Sequence, residues 1–96
     1  MDLRKFETIE FEWDDGNLVE IEGHGITDWE CEECFFNDHV VYRNKRKQRQ
    51  YSTYRLIGRT DAGKELNVIF FVRGRHRSGI GRATALVRVI TAWPLE

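Results

Sequence analysis

Apolar positions near the start of the chain recur every second residue and then fall into helical spacing. Ile9, Phe11 and Trp13 alternate with acidic and polar residues, and with Phe6 ahead of them they predict a strand over 6–13. Asp14 and Asp15 follow as candidate helix caps, with Gly16 and Asn17 in the first turn. A short helix through Leu18 and Ile21 should stop at Gly23 or Gly25, because glycine adopts a left-handed cap without a Cβ clash. Thr27, with Glu30 three residues later, forms a capping-box pattern that opens a second helix over 28–36.

Beyond Asp38 the strand period takes over. A short strand is expected over 39–42, then an exposed, mostly basic loop over 43–50. Strands over 51–60 and 65–73 are joined by Asp61-Ala62-Gly63-Lys64, with Gly63 suited to a left-handed turn position. The stretch 74–82 is glycine-rich and reads as irregular, and a last strand over 84–93 ends at Pro94. The order β-α-α-β-β-β-β predicts a single α+β domain over 1–96, with two N-terminal helices on one face of a mostly antiparallel sheet.

Strand alternation then sorts the side chains. Leu66, Val68, Phe70 and Val72 share a face that should pack on the helices, leaving Asn67, Ile69, Phe71 and Arg73 on the other. Arg55, Ile57 and Arg59 alternate with Tyr54, Leu56 and Gly58, and Arg88 alternates with Val87 and Val89. One register gathers Arg55, Arg59, Arg73 and Arg88 on the face away from the helices, among Ile57, Ile69 and Phe71. Arginine binds phosphate and rings stack on bases, so this mixture suits single-stranded nucleic acid. It also suits an acidic protein partner, and a merely solvated sheet face shows the same residues. In the glycine-rich stretch, Arg75, Arg77 and Arg82 extend the basic character. The amides of 79–81 offer a phosphate cradle, although a plain hairpin connection reads the same way.

Charge sharpens this picture. Residues 1–42 hold 13 acids and 2 bases, whereas 43–96 hold 13 bases and 3 acids, so two strongly opposed halves sit behind a net charge of −1. A phosphate-bearing or acidic partner is expected on the basic half. At 96 residues and 41% apolar content the chain can build one modest core but no enclosed cofactor cavity as well. The start lacks the apolar stretch of a signal peptide and the longest apolar run, 68–72, is too short to span a membrane, so a cytosolic protein is expected. Cys31 and Cys34 supply two ligands where structural zinc needs four. On a helix beside Ile26, Trp29 and Phe35 they read as small buried apolar residues. His24 reads as a helix-end residue whose ring meets terminal carbonyls, His39 has no evident partner, and His76 stands among arginines.

Several of these pieces, taken in order, are similar to one known family. Phe11-Glu12-Trp13-Asp14, Asn17, His24-Gly25-Ile26-Thr27, Glu30, Glu33 and Phe35 resemble the opening of the BrnT-like toxins. The hairpin from Tyr54 to Thr60 with Gly63, Leu66 and Val68, and then Val87-Arg88-Val89-Ile90-Thr91-Ala92, continue the resemblance over most of the chain. It implies a fold related to the RelE/ParE-type toxins and a metal-independent, RelE-like endoribonuclease that inhibits translation and is neutralised by a DNA-binding antitoxin. Carried over, Arg59, Arg88 and Thr91 become the catalytic candidates, with Tyr54 a weaker one because alternation points it to the core, and no cofactor or metal is implied. The sheet-face and loop arginines Arg55, Arg73, Arg75, Arg77 and Arg82 are the nucleic-acid-binding candidates. The implied partners are RNA or the ribosome and a ribbon-helix-helix antitoxin, in a possible heterotetramer. Two departures stand out. The connection before the last strand is longer than the family's, and Trp93-Pro94-Leu95-Glu96 stands where the family has a basic residue after the Thr-Ala pair and then a helix rich in Arg and Glu. The second departure implies an alternative: a non-catalytic relative that still binds an antitoxin or regulates transcription with it.

Overall fold

A computed structural model describes residues 3, 6, 8–44, 52–77 and 83–95, and only the backbone of 73–77 and 83. The elements are β1 (Thr8–Glu12), α1 (Asp15–Glu22), α2 (Asp28–Phe36), β2 (His39–Asn44), β3 (Thr53–Arg59), β4 (Glu65–Arg77) and β5 (Ala83–Pro94). They form one five-stranded sheet in the order β1-β5-β4-β3-β2. β2 to β5 pair antiparallel, while β1 runs parallel to β5. The domain is therefore α+β with two helices packed on a mostly antiparallel sheet.

Local chemistry sets the helix starts. Asp14 caps α1, accepting from the Gly16 and Asn17 amides, and the Asp14 amide in turn donates to Asn17 Oδ1. Thr27 and Glu30 do the same for α2. The apolar sides of the helices meet the sheet in one core. Ile21, Ile26, Cys31, Cys34 and Phe35 pack against Leu56, Leu66, Val68, Phe70, Val87 and Val89. The Phe35 ring stands edge-on to Phe70 at 4.9 Å and to Phe11 at 5.1 Å. Gly58 lets α2 lie close on β3, since a Cβ there would come within 2.9 Å of the Cys34 carbonyl oxygen. Gly63 supplies the left-handed turn between β3 and β4, at φ +86°.

Two expectations need correction. The stretch after Arg73 does not leave the sheet at once: Gly74, Arg75, His76 and Arg77 pair with Leu86, Ala85, Thr84 and Ala83. The register shifts between Val72 and Gly74, with Arg73 as the extra residue of a bulge. The same stretch of β5 is held on its other side by β1, so pairing overrides the weak strand propensity of glycine. Likewise Arg43 and Asn44, expected in a loop, extend β2 by pairing with Tyr54 and Thr53. The rest of the expected basic loop, 45–50, and the amides of 79–81 lie outside the described residues.

Candidate nucleic-acid interface

The pairing register lays out the helix-free face as rows across the strands. Leu56, Val68 and Ala92 belong to the core cluster under the helices, so their neighbours point to the other face, where Ile69 and Asn67 are nonetheless buried. Tyr42, Arg55, Ile69 and Thr91 form one row from β2 to β5, each paired with the next. Val40, Ile57, Asn67 and Trp93 form the adjacent row. At the β2 end Val40 and Tyr42 are 52% and 51% exposed. The Arg55 guanidinium sits over the Tyr42 ring, 5.7 Å from its centre. Among the described residues, no carboxylate lies within ion-pair distance of Arg55.

Arg88, on the same face, has the opposite surroundings. β1 ends beside it, and Asp14 follows at the start of α1. Nη1 donates to Asp14 Oδ2 at 2.9 Å and to Glu12 Oε1 at 3.1 Å, while Nη2 donates to Asp14 Oδ1 at 3.1 Å. The fork geometry matches two acceptors at once. The hydrogen bond from Arg88, with help from the Asn17 and Gly16 amides, holds the Asp14 carboxyl below its ordinary range. The bond to Asp14, reinforced by Glu12, pushes the guanidinium up in turn. Any phosphate reaching Arg88 must compete with these carboxylates.

Beyond the end of β1, α1 lies along the freed edge of β5, where Asn17 Nδ2 donates to the Glu12 and Val89 carbonyls. This seam brings Thr91 to Glu20. Thr91 Oγ1 donates to Glu20 Oε2 at 2.9 Å, and His24 Nε2 lies 3.1 Å from the same oxygen. The His24 ring thus meets a carboxylate one turn back rather than the terminal carbonyls expected from sequence. His39 also has a partner, its Nδ1 lying 2.9 Å from the Asn37 carbonyl oxygen. Glu20 was missed by sequence reasoning. Its i,i+4 spacing to His24 was visible, but Thr91 is 71 residues away and only the fold joins them.

The three catalytic candidates do not form one cluster. Arg88 and Thr91 share β5 at the α1 seam. Arg59 is on β3 at the opposite end, paired with Glu65, while Arg88 is level with Phe71 on β4. Six residues along β4 and two strand spacings put the two Cα atoms about 20 Å apart. The Arg59 side chain is exposed, 3.8 Å from Glu65, beside an open cleft lined by Phe36, Asn37, Asp38, Thr60 and Asp61. Of the binding candidates, Arg55 lies in the Tyr42 row. Arg73 is the β4 bulge residue, Arg75 and Arg77 follow it in the β4–β5 arm, and Arg82 is outside the described residues. Tyr54 packs toward the core, with its ring 5.7 Å from Phe70.

The cysteines take no part in this face. Cys31 and Cys34 are fully buried, and burial, with nearby acids adding to it, pushes both thiols up to about 12. Such thiols stay protonated and unreactive at neutral pH. Among the described residues no group of three or more His, Cys, Asp or Glu side chains is placed to hold a metal ion, and no helix is long and apolar enough to cross a membrane. Compared with protein-family models and with curated proteins, the chain finds no match.

Proposed function

We propose that this chain is the toxin member of a type II toxin–antitoxin pair and a metal-independent, RelE-like endoribonuclease of the cytoplasm. The single observation that carries the reading is the α1–β5 seam, where Arg88, Thr91, Glu20 and His24 border a sheet face bearing arginine and aromatic residues. Its chemistry follows from the donor set. Nε2–H given to Glu20 leaves His24 Nδ1 as the basic nitrogen. Nδ1 takes the proton of a ribose 2′-hydroxyl, O2′ bonds to the adjacent phosphorus, and the P–O5′ bond breaks. The products are a 2′,3′-cyclic phosphate and a 5′-hydroxyl, which recovers the proton from the imidazolium. Arg88 offsets the charge that builds on the phosphorus oxygens. An antitoxin of ribbon-helix-helix type with an acidic segment fits the basic end of the face, in a possible heterotetramer.

The test is cleavage of single-stranded RNA by pure protein in the presence of chelator. His24→Gln and Arg88→Lys should slow it by about a hundredfold or more while the fold survives. If RNA and translating ribosomes stay intact, the enzyme reading fails. One observation favours a second reading, a non-catalytic binding module that holds an antitoxin: Arg88 already has Asp14 and Glu12 in the place a phosphate would take. That reading expects tight binding of a neighbouring gene's product and no cleavage in the same assay.

A further inference from the structure

We infer that Tyr42 and Arg55 form a stacking site for an unpaired base of single-stranded RNA, at the end of the face opposite the α1–β5 seam. The inference rests on the reading of this face as an RNA surface and assigns it a second contact point. Tyr42 is half exposed on an edge strand and carries Arg55 over its ring. Exposed apolar residues on a sheet edge invite aberrant pairing and are usually replaced by charge, so Val40 and Tyr42 together are an unusual choice for an idle edge.

Charge selects the occupant. The helix-free face is acidic at the β1 and α1 end, where Glu12, Asp14 and Glu20 stand. It turns cationic toward β3, where no described carboxylate neutralises Arg55. Of the described side chains on this face, those of the β2–β3 half therefore repel a polyanion least. A guanidinium lying over an aromatic ring extends the stacking platform, so a base stacks on the outer face of the guanidinium or on the ring's other face while its phosphate meets the charge, without regard to sequence. The row geometry supplies the connection: Tyr42, Arg55, Ile69 and Thr91 lie side by side over three strand spacings, about 14 Å. Ile69 in the middle of the row is buried under its neighbours, so a strand anchored at Tyr42 passes over those side chains, not over Ile69 itself, to reach Thr91 and the Glu20–His24 pair.

The experiment is fluorescence anisotropy with a labelled single-stranded RNA of a dozen nucleotides, and with the same sequence as a duplex. Tyr42→Ala should weaken single-strand binding by about tenfold, and Tyr42→Phe, which keeps the ring, should retain it. Arg55→Ala should also lower the salt dependence by about one counterion. The native protein should prefer the single strand. Unchanged binding by Tyr42→Ala, or equal affinity for duplex and single strand, overturns the inference even if the protein cuts RNA. RNA binding that depends on Tyr42 without cleavage sinks the nuclease reading and leaves the stacking site standing. An acidic peptide that binds through Tyr42 while RNA does not bind overturns it as well.

Discussion

Asp14 shows how one residue can serve two structures at once. Its carboxylate caps α1 and also holds the Arg88 fork, so the helix start and the β1–β5 seam depend on a single charge. Because Arg88 keeps the folded pKa below its ordinary value of 3.8, the ion pair contributes fully above that value and is lost as pH falls through the lower, folded one. Asp14→Asn, which retains a capping side chain, should therefore cost stability at pH 7, and progressively less as pH falls below 3.8 and through the lowered folded value. Asp14→Ala should cost more than Asp14→Asn throughout, since it also removes the cap. Thermal denaturation of the two variants across that range measures the difference, and equal losses at every pH would dissociate Arg88 from the effect. The cap itself was legible in the sequence, as was the Thr27–Glu30 box, because each is written within four residues. The Arg88 partnership was not, since its acids lie 74 and 76 residues away.

At the level of elements, the strands and helices were legible wherever apolar period and caps agreed, and α2 runs from Asp28 to Phe36 as those signals require. The misread stretches were those whose conformation is set by a partner strand. Gly74 and its neighbours extend β4 only because β5 is available and is braced by β1. The same holds for Arg43 and Asn44 against β3. Gly58 marks the reverse case, a sequence feature with an unforeseen packing role. Gly58→Ala would drive a Cβ against the Cys34 carbonyl at 2.9 Å, a backbone atom that moves only if α2 shifts. Destabilisation of about 1–3 kcal/mol is expected, from the overpacking of helix against sheet. Chemical denaturation of the variant checks it, and native stability would show that α2 rests on β3 less tightly than described.

Among the described residues, the opposed charges of the two chain halves meet on one face and do not stay on separate sides. β5 belongs to the basic half by sequence, yet it lies between β1 and β4. Arg88 thereby meets the acids of the first half, while Arg55 and Arg59 stay on β3, two strands away, with exposed side chains. Among the described side chains, the helix-free face thus grades from acidic beside β1 to basic at β3. Sequence alternation placed Arg55, Arg59 and Arg88 on the helix-free face but not along this gradient, because strand order is set by pairings between distant segments. Titration of isotopically labelled protein with single-stranded RNA, followed by amide chemical shifts, tests the central claim most directly. Shifts concentrated at Tyr42, Arg55, Ile69 and Thr91, with Val19 and Trp29 on the exposed helix surfaces unmoved, are the predicted result. Shifts confined to the helices, or none at any RNA concentration, would contradict it.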